Sequence, residues 1–257
     1  MKSKKLIRKL WKLFPLKLAR KYHDYVGLMV PRVKEETNKI ITCLDITPHV
    51  IEVAINNKVD MIITHHPFLY GKKSYILTHD EFKKKMYDIL FNNNIAVYSF
   101  HTNFDEGKNG MNDALANLLN LKNIRPITNL EMARCGELDE EMDIIEFSKY
   151  ATNKLNLNYS QLINKGSSKI KKVGILGGSG SRDYYLAIED GCDIFLSGDT
   201  PYHIRREIID KGYNYLHIDH EVEKVFCYQM KKLLSEIDNS LEIIIVDDVE
   251  QSLLITR

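Results

Sequence analysis

Short apolar runs alternate with helical patterns along most of this chain, and this alternation limits the fold more than any other feature. Residues 40–45 and 61–64 are apolar runs typical of strands. Between them, residues 48–57 are predicted to form a helix that opens on Thr47 as its cap, with Pro48 in its first turn. Strands joined through helices form parallel sheets with right-handed crossovers, so this stretch is predicted to be a βαβ unit.

The alternation occupies two stretches of the chain, on either side of a less regular segment at residues 121–172. Further helices and strands are predicted at residues 79–92, 95–100, 112–121, 131–137, 142–155, 172–176, 183–189, 192–196, 201–211, 213–218, 220–237 and 241–246. We therefore predict an α/β protein of two interlinked lobes with largely parallel strands. The first lobe is expected to cover residues 1–126, completed by residues 240–257, and the second to cover residues 127–239.

The composition excludes several classes of protein. With 44% hydrophobic and 28% charged residues, the chain has an ordinary globular composition. A net charge of +1 gives no general case for nucleic-acid binding, and no apolar run approaches the roughly 20 residues that cross a bilayer. The four cysteines lack metal-type spacing and resemble small buried hydrophobes of a reducing compartment. We expect a cytoplasmic protein without membrane association.

The first 21 residues carry nine Lys or Arg and no acid. Leu6, Leu10, Leu13 and Phe14 recur there at helical spacing, which predicts an amphipathic helix whose basic face is solvated. A nucleic-acid-binding arm is the alternative interpretation, and it is not favoured.

Polar residues that could bind metal or take part in catalysis cluster just after predicted strands. In open parallel sheets, ligands bind at the carboxyl ends of the strands. The residues that occupy such positions are Asp45, His65, His66, His101, Asp105, the glycine-rich turn at residues 177–180, Asp199, His217 and Glu221. Six strand ends thus carry nearly all of the candidate chemistry, which is more specific than any single motif.

His65 and His66 stand together where an apolar strand stops, and Pro67 follows them. Successive strand side chains leave on opposite faces, so the two rings are expected to diverge and to serve two neighbouring metal ions. A solvated His-Pro turn is the simpler alternative.

A second candidate motif joins a predicted strand to the helix at residues 220–237. His217 and Glu221 are four residues apart, and Glu221 lies in or near the first helical turn, where the helix dipole favours a carboxylate. The competing pair is His220 with Glu223. We favour His217 and Glu221, because a histidine at the start of a charged helix is by default a surface residue.

These motifs together resemble those of a known family. The sequence has IITHHP at residues 62–67, SFHTNFD at 99–105, GGSG at 177–180, SGD at 197–199 and His217 four residues before Glu221. The same motifs occur in this order in the GTP cyclohydrolase 1 type 2 homologs, also called Nif-three-like dinuclear-metal proteins. The resemblance covers nearly the whole chain.

The resemblance implies a ligand set and an assembly. It implies that His65, His66, Asp105, His217 and Glu221 bind two divalent metal ions, with Glu221 as a bridge, at the carboxyl ends of strands between the lobes. It also implies a homo-oligomer in the form of a hexameric ring.

The chemistry of that ligand set agrees with a catalytic centre. Imidazoles and carboxylates without thiolate suit Zn, Mn, Fe, Co or Ni. Five protein ligands for two ions leave coordination positions open, as catalytic sites do. Glu221 and His101 are the candidate catalytic residues, and His101 and Asp199 are candidates for orienting ligands or contacting substrate.

These expectations favour a metal-dependent hydrolase that acts on a nucleotide, a phosphoester or a cyclic amide. The glycine-rich turn offers backbone N–H groups to a phosphate, although a tight turn explains its glycines equally well. The alternatives are a regulatory or metal-handling assembly without turnover and a nucleic-acid-associated ring.

Overall fold

The computed structural model describes residues 1–247, which contain two α/β units. Its strands are β1 (Gly27–Val30), β2 (Lys39–Cys43), β3 (Met61–Thr64), β4 (Ala96–Ser99), β5 (Lys122–Ile127), β6 (Leu130–Asp143), β7 (Gln161–Ile163), β8 (Lys169–Leu176), β9 (Ile194–Ser197), β10 (Asn214–His217) and β11 (Glu242–Val246). Its α-helices are α1 (Ser3–Leu13), α2 (Leu16–Lys21), α3 (Pro48–Asn56), α4 (Lys73–His79), α5 (Glu81–Asn92), α6 (Thr102–Glu106), α7 (Met111–Leu118), α8 (Ile144–Lys154), α9 (Tyr184–Glu189), α10 (Tyr202–Asp210) and α11 (Val225–Ile237). Single 3-10 turns precede α9 at Ser181–Asp183 and α11 at His220–Lys224.

The boundaries between the units differ from those predicted. The first unit contains Met1–His101 and the segment that begins at Phe226, and the second contains Thr102–Val225. The C-terminal segment returns to the first unit because β11 pairs with β2 and because the buried Thr42 hydroxyl donates to the carbonyl of Cys227 at 3.0 Å. Residues 248–257, predicted to help complete the first lobe, lie outside the described residues.

The sheet of the first unit has the strand order β1-β4-β3-β2-β11. β11, β2, β3 and β4 are parallel, and β1 runs antiparallel at the edge. The predicted βαβ unit is present, since Thr47 caps α3 by accepting the amide proton of Val50 at 3.2 Å. Because the parallel strands share a direction, the residues after β2, β3 and β4 meet at one edge of this sheet.

The basic N-terminal helix is amphipathic as predicted. In α1, Leu6 and Leu10 are buried, and Phe14, the residue that follows, is buried too. Phe14 packs edge to face on Phe100, with ring centroids 6.4 Å apart. Leu13, at the end of the helix, remains 44% exposed.

The sheet of the second unit is mixed, with the strand order β5-β6-β8-β9-β10-β7. β8, β9 and β10 are parallel, whereas the β5–β6, β6–β8 and β10–β7 pairs are antiparallel. The prediction of largely parallel strands therefore holds only for the middle of this sheet. β5 and β6 form a hairpin through Thr128 and Asn129, and Asn129 adopts a left-handed φ of 62°.

The cysteines agree with their predicted role, because all four are buried thiols. No helix within residues 1–247 is long and apolar enough to cross a bilayer.

Candidate metal centre

Three histidines meet at the carboxyl edge of the first sheet. His65 and His66 follow β3, and His101 follows β4. The ring centroid of His65 lies 5.1 Å from those of His66 and His101, and the other two centroids are 5.7 Å apart. One nitrogen from each ring lies within 4.8 Å of the other two, which is close enough to hold one metal ion. We call these residues the histidine cluster.

The rings of His65 and His66 do not diverge, contrary to the expectation from strand alternation. Both residues lie beyond the end of β3. Their consecutive amides donate to the consecutive carbonyls of Cys43 and Leu44, at 3.1 and 3.0 Å. In a strand, consecutive residues alternate between the two sides, so this pattern marks a turn. The turn is what brings the two imidazoles together.

Each histidine of the cluster is oriented through its Nδ1. This atom lies 2.9 Å from the carbonyl oxygen of Phe100 for His65, 2.9 Å from Asp45 Oδ1 for His66 and 2.8 Å from Asp24 Oδ2 for His101. These oxygens only accept, so each Nδ1 carries the proton and Nε2 is the basic nitrogen of the neutral ring. Metal-binding imidazoles in proteins are held in this way.

The two carboxylates behind the histidine cluster differ in exposure. The side chain of Asp24 is 2% exposed and that of Asp45 is 50% exposed. Burial is the largest single influence and raises the pKa of Asp45, but the hydrogen bond with His66 and the nearby His66, His65 and Lys83 together lower that pKa below its ordinary value. Asp45 therefore remains a carboxylate at neutral pH.

In the second unit, Asp105, His220 and Glu223 form what we call the carboxylate cluster. An oxygen of Asp105 and one of Glu223 lie within 4.8 Å of each other, and both residues are buried. His220 Nε2 lies 3.2 Å from Glu223 Oε2, and its Nδ1 lies 2.7 Å from Asp199 Oδ2. The hydrogen bond with Glu223 is the main cause that raises the pKa of His220 to about 9. Two buried carboxylates at this separation favour a bound cation.

His217 and Glu221 are not members of the carboxylate cluster. His217 Nδ1 is 2.9 Å from the Thr200 hydroxyl, and burial lowers the pKa of its ring. Within residues 1–247, neither His217 nor Glu221 belongs to a group of three or more His, Cys, Asp or Glu side chains whose ligand atoms lie within 4.8 Å of one another.

The local backbone explains which pair comes together. His220–Lys224 is a 3-10 turn, in which side chains three residues apart eclipse each other, so His220 and Glu223 share a face. His217 instead is the last residue of the strand β10, outside this 3-10 turn. The structure thus brings together the pair that the sequence left as the alternative.

The glycine-rich turn is shaped by close packing. Gly178 has a φ of +68°, and a Cβ placed on it would lie 2.2 Å from Glu223 Oε1. The amide of Gly177 donates to Asn112 Oδ1 at 2.8 Å, and that of Gly180 donates to the Ser197 hydroxyl at 3.0 Å. These N–H groups are therefore bonded within the protein, and the glycines leave room for the Glu223 carboxylate. Both facts support a tight turn over a phosphate-binding loop.

Two supporting residues escaped the sequence analysis. The buried Asn112 donates to the carbonyl of Asp105 at 3.2 Å while it accepts from Gly177. Arg134, 3% exposed, donates from Nη2 to the carbonyl of Glu106 at 2.9 Å. Both hold α6, which carries Asp105. The only sequence signal for Arg134 is a charge between small apolar neighbours in a strand.

Fold and site together define a class of protein: an α/β chain of two units with a group of potential metal ligands after its parallel strands. The chain belongs to the Duf34/NIF3 (NGG1p interacting factor 3) family, whose sequence model matches residues 1–251. The predicted family resemblance is thereby confirmed.

Similar proteins agree with this assignment. A GTP cyclohydrolase 1 type 2 homolog from Clostridium perfringens is 32% identical over 256 residues, covering 95% of this chain and 96% of that protein. One from Methanocaldococcus jannaschii is 31% identical and covers 96% of this chain and 100% of that protein.

Solved structures share the fold. Reduced HcgD from Methanocaldococcus jannaschii has a TM-score of 0.81 at 30% identity, covering 96% of this chain and 98% of that chain. A Bacillus cereus protein related to NIF3 has a TM-score of 0.87 at 21% identity, covering 100% of this chain and 99% of the other.

Proposed function

We propose that this protein binds two divalent transition-metal ions per chain and is a metal-dependent hydrolase. The observation that carries the proposal is the histidine cluster, in which an oxygen acceptor orients each ring and one nitrogen from each ring lies within 4.8 Å of the other two. His65 and His66 can therefore bind a metal ion with the His101 ring beside it. Bound divalent ions would supply acidified water and polarise a carbonyl or phosphoryl oxygen.

We assign His65 and His66 as metal ligands, together with Asp105, His220 and Glu223 of the carboxylate cluster. The distances around Glu223 favour His220 and Glu223 over His217 and Glu221, which remain the alternative assignment. Imidazole and carboxylate donors without thiolate suit Zn, Mn, Fe, Co or Ni.

His101 is proposed as the general base of the reaction. Its Nδ1 donates to the carboxylate of Asp24, whose side chain is 2% exposed. A buried carboxylate on one ring nitrogen fixes the tautomer, so the other nitrogen is unprotonated and can take a proton from a reacting group. The names of the relatives point to a nucleotide as the first substrate to test.

Protein purified without chelator and refilled with metal is expected to hold about two ions per chain and to hydrolyse a nucleotide, phosphoester or cyclic amide. His65→Asn should lower metal content, whereas His101→Asn should keep it and lose turnover. His79→Asn is the matched control, because His79 is exposed on α4 and should change neither.

Elemental analysis and a substrate screen, with metal-free protein as reference, give both readouts. Only trace metal in the refilled wild-type protein would overturn metal binding. Full occupancy without turnover on any substrate class would instead support the metal-handling alternative.

We further propose that the chain forms a homo-oligomer, with a hexameric ring as the expected form. Exposed aromatic side chains on and before α4 and α5 support self-association, since Tyr70, Tyr75 and Phe82 are 67%, 62% and 59% exposed. Light scattering should report a mass of about six times the chain mass of 29.9 kDa. A stable species at the mass of one chain would contradict this.

A further inference from the structure

A second concave site lies in the first unit, at the amino ends of β3 and β4. It is a pocket of about 250 Å³ whose wall includes Met61 and Ala96, the first residues of these two strands. The histidine cluster follows the carboxyl ends of the same strands, so the two sites lie at opposite edges of the sheet. We call this site the amino-end pocket.

The charge of the amino-end pocket is positive. Lys2, Lys4, Arg32 and Lys34 line it, together with a single acid, Glu35. Lys2 pairs with Glu35 at 3.5 Å, and Arg32 pairs with Asp60 at 2.7 Å. The side chains of Lys4 and Lys34 form no ion pair or hydrogen bond with any residue among 1–247, so their two charges remain uncompensated within the described chain.

The floor of the amino-end pocket is apolar and has one polar atom without a partner among residues 1–247. The exposed side chain of Leu28 and the half-buried ring of Tyr98 line it, and the buried Met61 lies behind them. The Tyr98 hydroxyl makes no hydrogen bond with the described residues, and burial raises its pKa, so it stays a neutral donor. Such a hydroxyl beside a cavity is a ready partner for a polar group of a ligand.

Arg32 is a buried, fixed side chain in the wall of the amino-end pocket. Its side chain is 4% exposed, and its two Nη atoms donate to Asp60, at 3.0 Å to the carbonyl and 2.7 Å to Oδ1. Its Nε is buried without a hydrogen-bond partner among residues 1–247. This atom is enclosed and does not face the pocket, so Arg32 is a fixed part of the pocket wall.

We propose that the amino-end pocket binds a small organic anion with a flat apolar body. The anionic group lies at Lys4 and Lys34, and the body packs on Tyr98 and Leu28. The volume is just below the range of about 300–1,000 Å³ typical of drug-sized ligands, so the ligand is of metabolite size. This site is separate from the proposed metal centre, and it gives a role to lysines at the start of the basic α1 helix.

The test uses 2-naphthoate as the anionic probe and 2-naphthamide as its uncharged analogue, with binding measured by calorimetry on full-length protein. Naphthoate should bind and naphthamide should bind at least about fivefold more weakly, since the charge pairs with lysine. Lys4→Gln and Lys34→Gln should each weaken naphthoate binding by roughly threefold to fivefold. Lys5→Gln is the matched control, because Lys5 is exposed on α1 and does not line the pocket.

Tyr98→Phe should weaken naphthoate binding and Tyr98→Ala should weaken it further, since the first removes the hydroxyl and the second also the ring. Metal-free and metal-loaded protein should bind naphthoate equally, which separates this pocket from the metal centre. The proposal is overturned if naphthoate does not bind, if naphthamide binds as tightly, or if Lys5→Gln weakens binding as much as Lys4→Gln and Lys34→Gln.

Discussion

Glu223→Gln is expected to remove most of the bound metal, whereas Glu221→Gln is expected to leave metal content unchanged. Glu223 is 4% exposed, and its carboxylate lies within 4.8 Å of that of Asp105 and 3.2 Å from His220 Nε2. Glutamine has nearly the same shape but no charge. We expect metal affinity to fall by more than about 100-fold, the upper end of the loss caused by removing a residue that only supports a ligand.

The two glutamates are a matched pair, because both lie in the 3-10 turn at His220–Lys224 and both changes are isosteric. Metal content after dialysis against a weak chelator is the readout. Metal-free Glu223→Gln protein is expected to keep its fold but to be less stable than metal-free wild type, since the charged hydrogen bond between His220 and Glu223 is lost. A thermal melt therefore separates loss of metal from loss of fold.

The opposite result in this pair of variants would support His217 and Glu221 as the metal ligands. If Glu221→Gln empties the protein of metal while Glu223→Gln retains it, His217 and Glu221 are the ligands that the family resemblance implies. The same assay should compare His217→Asn with His220→Asn. Metal content should fall for His217→Asn if Glu221 is a ligand, and for His220→Asn if Glu223 is a ligand.

Arg134→Met is expected to lower the free energy of unfolding by about 3–5 kcal/mol, because it removes one partner of a buried ion pair. Arg134 Nε donates to Asp113, Nη1 donates to the carbonyl of Glu131 at 2.7 Å, and Nη2 donates to that of Glu106 at 2.9 Å. Methionine fills similar space but leaves the carboxylate and both carbonyls without this donor. Since Glu106 follows Asp105 in α6, metal content should also fall.

Arg206→Met is the control for this prediction. Arg206 pairs with Asp210 four residues along α10, and their side chains are 51% and 65% exposed. An exposed helix pair contributes only about 0.3–0.5 kcal/mol. Urea unfolding followed by circular dichroism compares the two variants. A loss for Arg134→Met no larger than that for Arg206→Met would show that Arg134 does not hold α6.

Much of the first sheet was predictable, because the signals for it are local. The apolar runs of β2, β3 and β4, and Thr47 as the cap of α3, depend on residues within a few positions of one another. The strand ends then placed His65, His66 and His101 at one edge, because parallel strands share a direction. The short edge strands β1 and β7 carried no comparable signal and were not predicted.

The choice of partners was decided only by the tertiary structure. Asp24 reaches His101 across 77 positions, and Arg134 reaches Glu106 across 28. The 3-10 turn that joins His220 to Glu223, in place of His217 and Glu221, is a backbone detail that apolar periodicity does not encode. The sequence by itself determined the alternation of strands and helices and the strand ends that carry chemistry, because neighbouring residues set both. Which side chains meet depends on packing between distant segments, and only the folded chain determines it.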